Sequence, residues 1–247
     1  MSLKTITLFV FFSLLFLFYP GDSDLFHTFS YHRSLFQNQN RSIAYANSPI
    51  PVRNLSLDPA ITAQAAYIVD RNSFTPVYEK NAHSQMYPAS TAKIITALVA
   101  YDIYKTDSTI KIKAPLEDGQ VMGLVNGEEI TIENLLYGTL VHSGNDAAYA
   151  LAQPIGLPAF VVKMNEKAKA LHMNDSQVEN PAGLHDYKQR SSAFDLALAG
   201  RALLDNVYLS KIVSAKEIEI SDTQYRIFHK LIKHLLYFKL KPKTYHL

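Results

Sequence analysis

A serine and a lysine three positions apart, Ser90 and Lys93, are the side chains of this sequence best suited to covalent chemistry. The apolar run IITALVA follows the lysine, so the sequence predicts a buried helix that Pro88 opens and that carries Ser90 in its first turn. Their spacing places both side chains on one helix face. Burial disfavours an ammonium ion and lowers the pKa of a lysine, which leaves an amine able to accept the serine proton. The pair is therefore predicted to act as a nucleophile with its base.

The spacing alone has little weight, because the chain repeats it. Ser108 and Lys111 are also three positions apart, but they lie in a polar stretch that is predicted to form a strand. The alternative interpretation of Ser90 and Lys93 is a helix-capping serine and a surface lysine whose stem covers apolar neighbours. The apolar surroundings of Lys93 favour the catalytic interpretation.

The second candidate group is a loop at residues 141–148, with the sequence VHSGNDAA. Gly144 allows the backbone to turn so that Ser143 and Asn145 point to one side. A hydroxyl and a carboxamide placed in this way can relay a proton and hold a substrate amide. The same composition also suits an ordinary turn between helices. The serine and lysine upstream favour the functional interpretation.

Short strands and helices are predicted to position these groups. The predicted β elements are residues 65–70 and 76–79, which form a hairpin, and residues 109–113. The predicted helices that follow the Ser90 helix are Ile132–Val141, capped by Thr131, and Ala147–Gln153, capped by Asn145 or Asp146.

The two ends of the chain differ in character from the part between them. Residues 1–20 contain an apolar run of about fourteen residues behind Lys4, which predicts a signal peptide or an N-terminal anchor that allows membrane association. Residues 21–59 are polar and predict a linker, and residues 60–224 form the predicted domain. Residues 225–247 predict a basic amphipathic tail able to lie on an anionic membrane. Its apolar residues at helical spacing are Phe228, Leu231, Ile232, Leu235 and Leu236.

Composition excludes several classes of function. The 247 residues include 24 basic and 22 acidic side chains, and no basic stripe with interleaved aromatic residues precedes the C-terminal tail, which argues against nucleic-acid binding. The chain has no cysteine, so disulfides, a thiol nucleophile and a cysteine zinc site are excluded. Its nine histidines show no metal-ligand spacing such as His-Glu-x-x-His, so we expect no metal and no cofactor.

Taken together, these motifs resemble the penicillin-binding serine D-alanyl-D-alanine carboxypeptidases of peptidase family S11. The resemblance covers about residues 60–214 and is carried by PASTAK at residues 88–93 and SGNDAA at residues 143–148. The supporting stretches are residues 127–129 (GEE), 135–138 (LLYG), 160–165 (FVVKMN), 180–184 (NPAGL) and 192–195 (SAFD). The resemblance implies an α+β, β-lactamase/transpeptidase-like fold, with helices on both sides of an antiparallel sheet that we expect to be incomplete.

The resemblance also implies roles for the candidate residues. Ser90 would attack the bond between two terminal D-alanines of a peptidoglycan stem peptide and become acylated, while Lys93 takes its proton. Ser143 would relay a proton to the leaving amine, and Asn145 would hold the substrate backbone. The expected setting is an exported protein of the cell envelope. Its expected partners are stem peptides ending in D-Ala-D-Ala, with β-lactams as inhibitors.

One element of the family pattern is missing. Lys-Thr-Gly is expected downstream of the loop, and its nearest match, Lys243-Thr244-Tyr245, lacks the glycine. In the family this lysine binds the terminal carboxylate of the substrate, and its strand supplies one N–H group of the oxyanion hole. Loss of one such donor typically costs on the order of a hundred- to a thousandfold in rate. The basic tail stands where this element is expected, which favours a coding frame or gene that ends early, with the tail in place of the family's own sequence.

Two alternative functions stay open at this point. A class A-like β-lactamase shares the serine and lysine but needs a glutamate to activate water, and Glu166 and Glu179 lie downstream of Ser143. The loop sequence SGNDAA favours the carboxypeptidase. A non-catalytic peptidoglycan-binding remnant is the other alternative, and the missing Lys-Thr-Gly favours it.

Overall fold

The computed structural model describes residues 6–8, 10–11, 51, 59–224 and 226–232. From residue 51 onward the described residues belong to one unit, and residues 6–8 and 10–11, which are helical, belong to a separate N-terminal unit. Most of the predicted signal or anchor and of the predicted linker lies outside the described residues. Of the described helices, none is by itself long and apolar enough to cross a bilayer. Two consecutive helices, Asn145–Ala152 and Leu157–Ala170, are together long and apolar enough, but the chain bends by 98° between them.

Helices and short antiparallel strands make up the domain, which has the predicted α+β class. The helices are α1 (Lys93–Ile103), α2 (Ile132–Leu140), α3 (Asn145–Ala152), α4 (Leu157–Ala170), α5 (Ala193–Asp205) and α6 (Val207–Ser214). The strands are β1 (Ala66–Val69), β2 (Pro76–Lys80), β3 (Thr109–Lys111), β4 (Glu129–Thr131), β5 (Glu217–Ser221) and β6 (Phe228–Ile232). In the described part of the chain they form three two-stranded antiparallel sheets, β1–β2, β3–β4 and β5–β6.

Helix α1 lies in the centre of the hydrophobic core. Its residues 93–100 are all buried, as expected for a helix that is apolar on every side. It packs against α2, α3, α4 and α5. Helix α2 presents an apolar stripe to the same core, and its Leu135, Leu136 and Leu140 are fully inaccessible. Thr131 caps α2 as predicted, because its hydroxyl accepts a hydrogen bond from the Asn134 N–H at 3.2 Å.

The turn that carries Ser90 differs from the prediction. Residues Ala89–Ala92 form a 3-10 turn, and α1 begins only at Lys93. Because a 3-10 turn has three residues per turn, side chains three positions apart lie one above the other. Ser90 and Lys93 therefore still face the same side, although Ser90 precedes the α-helix.

The start of α3 also differs from the prediction. The helix begins at Asn145 with Gly144 as its N-cap, two residues earlier than predicted. Asp146 is unavailable as the cap because its carboxylate accepts hydrogen bonds from another segment, the loop before β4. The donors are the backbone N–H groups of Met122, Gly123 and Leu124, at 2.9, 2.9 and 3.0 Å.

Strand β6 corrects the helical interpretation of residues 228–232. His229 and Leu231 are buried while Phe228, Lys230 and Ile232 are exposed, which is the period of two of a strand. The strand pairs with β5, with His229 opposite Ile220. Because β5 supplies backbone hydrogen-bond partners, pairing prevails over the apolar spacing that suggested a helix. Residues 233–247, including the rest of the predicted tail and Lys243-Thr244-Tyr245, lie outside the described residues.

Candidate active site

The amine of Lys93 is the centre of the candidate site. The Lys93 side chain is fully buried, and its Nζ contacts three oxygen atoms. These are Ser90 Oγ at 3.1 Å, Asn145 Oδ1 at 2.7 Å and the Ala182 carbonyl oxygen at 2.9 Å. The structure thus brings together three of the four residues that the sequence singled out, and adds a backbone carbonyl.

Two of these oxygens determine how the amine is oriented. The Ala182 carbonyl and Asn145 Oδ1 only accept hydrogen bonds, so each takes one hydrogen of Lys93 Nζ. The Asn145 amide cannot turn round, because its Nδ2 donates to the Asp118 carbonyl at 2.8 Å. The third position on the nitrogen faces Ser90 Oγ. In the neutral amine this position is the lone pair, which is what a base for the serine proton requires.

The surroundings of Lys93 also favour the neutral amine. Burial lowers the pKa of Lys93 from its ordinary value of 10.5 to about 8, against the opposite effect of the negative charge of Asp146. A substantial fraction of the amine is therefore neutral in mildly alkaline solution. The candidate nucleophile stays partly accessible, because Ser90 is only half-buried.

Ser143 is the fourth predicted residue, and it lies two positions before Asn145. It is 5% exposed and has a left-handed backbone conformation, with φ of +62°. Among the described residues its hydroxyl forms no hydrogen bond with Ser90 or Lys93. The proton relay through Ser143 stays a prediction.

Sequence reasoning assigned no role to residues 180–183, which close the site behind Lys93. The Ala182 carbonyl accepts from Lys93, and the Pro181 carbonyl accepts from the Thr96 hydroxyl at 2.6 Å. Gly183 has φ of +79°, and a Cβ atom at this position would overlap the Ala89 carbonyl and lie 3.2 Å from the Ser90 nitrogen. The motif NPAGL was the only signal in the sequence, because the contact with Lys93 joins residues 89 positions apart.

We expect Gly183→Ala to displace the turn that carries Ser90. The new methyl group overlaps the Ala89 carbonyl, and a left-handed alanine is itself strained by about 1–2 kcal/mol. Displacement of a reacting group by about 1 Å can slow a reaction by about a hundredfold, so acylation by a β-lactam should fall by at least tenfold. The matched control is Gly127→Ala, since Gly127 has φ of +87° but open space around its Cβ position. Equal acylation rates in the two variants would contradict the importance of this close contact.

The other candidate side chains from the sequence have partners outside the Ser90–Lys93 pair. Lys111 of the second serine–lysine pair is exposed and lies 4.0 Å from Glu129. Glu166 pairs with Lys163 on the surface at 2.8 Å, and Glu179 accepts from Gln177 at 3.1 Å. Within the described part of the chain, neither Glu166 nor Glu179 hydrogen-bonds with Ser90 or Lys93. No three His, Asp or Glu side chains converge there as metal ligands would.

Solved structures identify the class to which this fold belongs. The D-alanyl-D-alanine carboxypeptidase from Mycobacterium tuberculosis H37Rv matches with a TM-score of 0.67 and 28% identity, over 74% of this chain and 71% of that chain. Penicillin binding protein 5 from Haemophilus influenzae matches with a TM-score of 0.64 and 29% identity, over 71% of this chain and 54% of that chain. The fold is that of the penicillin-binding DD-peptidases, as the sequence predicts.

Sequence comparison narrows this class to one family. The family model Peptidase S11, described as D-alanyl-D-alanine carboxypeptidase, matches residues 53–243, and the chain belongs to this family. D-alanyl-D-alanine carboxypeptidase DacF from Bacillus subtilis (strain 168) is 34% identical over 164 residues, which are 63% of this chain and 42% of the relative. D-alanyl-D-alanine carboxypeptidase DacD from Escherichia coli (strain K12) is 32% identical over 180 residues, which are 67% of this chain and 46% of the relative. The chain thus spans less than half the length of either of these curated relatives.

Proposed function

We propose that this chain is a serine-type D-Ala-D-Ala carboxypeptidase that acts through an acyl-enzyme at Ser90. The observation that carries the proposal is the buried amine of Lys93, 3.1 Å from Ser90 Oγ and oriented by Asn145 and Ala182. Family membership and the names of the relatives support the substrate, a peptidoglycan stem peptide that ends in D-Ala-D-Ala. They also support inhibition by β-lactams.

In the proposed reaction Ser90 Oγ bonds to the carbonyl carbon of the penultimate D-alanine as its proton passes to the neutral amine of Lys93. The C–N bond then breaks, and the terminal D-alanine leaves with a proton that Lys93 returns through the Ser143 hydroxyl. Water attacks the ester and gives one proton to Lys93. Lys93 passes this proton to Ser90 Oγ, and the shortened peptide leaves as a carboxylic acid.

Asn145 holds the substrate backbone in this proposal. Its amide is already bound to Lys93 through Oδ1 and to the Asp118 carbonyl through Nδ2. A carboxamide has two hydrogens and two oxygen lone pairs, so Asn145 keeps one hydrogen and one lone pair for a substrate amide. The same side chain therefore orients both the base and the peptide.

The substrate sets the location of the domain. Peptidoglycan lies outside the cytoplasmic membrane, so residues 60–224 act in the cell envelope. Residues 1–20 serve as the signal peptide or N-terminal anchor that brings them there, and residues 21–59 serve as the linker. The apolar run behind Lys4 supports this assignment.

We expect the full chain to release D-alanine from a synthetic peptide that ends in L-Lys-D-Ala-D-Ala, and Ser90→Ala to release none. Ser108→Ala is the matched control, because Ser108 shares the spacing to a lysine but is exposed. Released D-alanine is measured by a coupled amino-acid oxidase assay. Hydrolysis of a β-lactam with multiple turnovers and no D-alanine release would instead support the β-lactamase alternative. Peptide binding without any release would support the non-catalytic remnant.

A further inference from the structure

His229 is buried where strand β6 meets the loop before β4, and the proposed reaction does not use it. Its Nε2 lies 2.7 Å from Glu128 Oε1, and its Nδ1 lies 3.2 Å from the Met122 carbonyl oxygen. The side chains of His229 and Glu128 are 4% and 0% exposed, respectively. The other carboxylate oxygen of Glu128 accepts from the Val125 N–H at 2.9 Å, so the glutamate also closes the loop onto itself.

Both ring nitrogens of His229 face hydrogen-bond acceptors. A backbone carbonyl oxygen and an ionised carboxylate have no hydrogen to donate. A neutral imidazole has a single N–H group and would leave one of these two contacts without a hydrogen. The geometry therefore favours a doubly protonated imidazolium that forms a buried ion pair with Glu128.

The loop that His229 binds also binds the start of helix α3. Its backbone N–H groups at residues 122–124 all donate to the carboxylate of Asp146. The loop is thus fixed from two directions, by the His229–Glu128 pair on one side and by Asp146 on the other.

Asp146 is the direct neighbour of Asn145, which binds the amine of Lys93. The Asn145 N–H donates to the Gln120 carbonyl at 2.7 Å, and its side chain donates to the Asp118 carbonyl at 2.8 Å. Residues 118–128 therefore surround the first residues of α3. Covalent and hydrogen-bonded contacts run without a break from His229 to Lys93.

We propose that His229 is a positioning residue: as an imidazolium bound to Glu128 it fixes the loop at residues 118–128, and through Asn145 it holds Lys93 toward Ser90. The consequence for the reaction rests on the proposed function. The protonation of His229 and the pKa of Lys93 are properties of the protein alone and are measured without substrate.

The charges around the ring support this protonation state. Burial lowers the pKa of His229, but the hydrogen bond and the negative charge of Glu128 outweigh it, and the Met122 carbonyl and Asp146 add to the upward shift. The net result is a pKa above the ordinary 6.5. On strand β5 the residue opposite His229 is the apolar Ile220. The neighbouring charged residues of this hairpin, Glu219 and Lys230, are exposed.

The direction of the shift determines when the ion pair stabilises the fold. Because the pKa of His229 is raised in the folded state, its contribution to the free energy of unfolding is fully present below pH 6.5. The contribution is lost as the pH rises through the raised folded pKa. The hold on the loop weakens over the same range.

The first test is NMR of the full chain labelled with 15N at histidine. At pH 6.5 we expect the two ring nitrogens of His229 to have the shifts of an imidazolium, each with its own hydrogen. A predominantly neutral ring beside a protonated Glu128 would overturn the proposal.

The second test follows Lys93 in His229→Gln, which removes the charge but keeps one amide donor. Loosening of the loop admits water to Lys93, so its pKa, measured from the 13C shift of Cε, should rise from about 8 toward 10.5. Below pH 8, a rise of one unit in the Lys93 pKa lowers the fraction of neutral amine about tenfold, and acylation by a β-lactam slows by the same factor. The matched control is His83→Gln. His83 also contacts a carboxylate, Asp175 at 2.8 Å, but its side chain is 65% exposed.

A folded His229→Gln that keeps the Lys93 pKa near 8 and the parent acylation rate would overturn the proposal, because the residue would then only stabilise the fold. If His229→Gln does not fold, Glu128→Gln/His229→Gln replaces it, because this variant leaves no unpaired buried charge. If the parent chain itself forms no acyl-enzyme, the proposed function fails. In that case the change in the Lys93 pKa caused by His229→Gln still tests the positioning role, because its measurement needs no acylation.

Discussion

We expect a fluorescent penicillin to label the full chain covalently and Ser90→Ala to lose this label by more than about a thousandfold, since removing the nucleophile of a catalytic group has effects of this size or larger. The label is an ester on Ser90 Oγ, and alanine has no atom that can form it. Ser108→Ala should be labelled like the parent chain, because Ser108 is exposed and precedes the surface residue Lys111. Fluorescence of the denatured protein on a gel measures the label.

The fold of Ser90→Ala is expected to survive. The Ser90 hydroxyl makes one hydrogen bond to Lys93 at 3.1 Å, and loss of such a bond typically lowers the free energy of unfolding by about 1 kcal/mol. Circular dichroism of the two proteins serves as the control. Equal labelling of parent and variant would place the nucleophile elsewhere. Absence of labelling in a folded parent chain would contradict the acyl-enzyme and favour the non-catalytic remnant.

The part of the site that the sequence predicts depends on local geometry. Ser90 and Lys93 are three positions apart, so helical spacing alone brings their side chains together, and the apolar run after Lys93 already implies burial. The same holds for the hairpin of β1 and β2 and for helix α2, whose apolar stripe and capping threonine lie within one short segment. Local geometry therefore accounts for these elements and neighbouring residues, whereas the fold class and the place of Asn145 beside Lys93 are predicted from the resemblance to a family.

The rest of the site depends on contacts between distant segments. Nothing near Ala182 in the sequence indicates that its carbonyl orients Lys93, and nothing near Asp146 indicates that it binds three N–H groups of another loop. The interpretation of residues 228–232 as helical failed for the same reason, because pairing with β5 selects the strand. A tertiary contact can override a local pattern, and a single sequence does not reveal it.

The pH dependence of acylation should follow the proton on Lys93. Because burial lowers the pKa of this amine to about 8, most of it is protonated at lower pH and cannot accept the Ser90 proton. We therefore expect the rate of acylation by a β-lactam to rise about tenfold per pH unit below 8 and to level off above it. Stopped-flow measurement across this range gives the midpoint directly. A midpoint near the ordinary value of 10.5 would mean that water reaches the amine.

Replacement of the base should slow the same step. In Lys93→Met a side chain of similar length fills the space without a proton acceptor, and loss of a general base reduces rates by about a hundred- to ten-thousandfold. Lys111→Met is the matched control, because this lysine has the same spacing from a serine but lies on the surface. If Lys93→Met retained the parent rate and its dependence on pH, Lys93 would not be the base.

The stability of the parent chain should report the same proton without any substrate. The folded pKa of Lys93 lies below the unfolded value near 10.5, so burial of the ammonium ion lowers the free energy of unfolding at pH values below 8. This penalty disappears as the pH rises from 8 to 10.5, and the parent chain should gain stability relative to Lys93→Met over that interval. Urea denaturation at several pH values measures the difference. The pH at which this gain in stability begins should coincide with the midpoint of the pH–rate profile. Such a coincidence would show that the same buried amine controls both properties, because acylation and unfolding are otherwise unrelated processes.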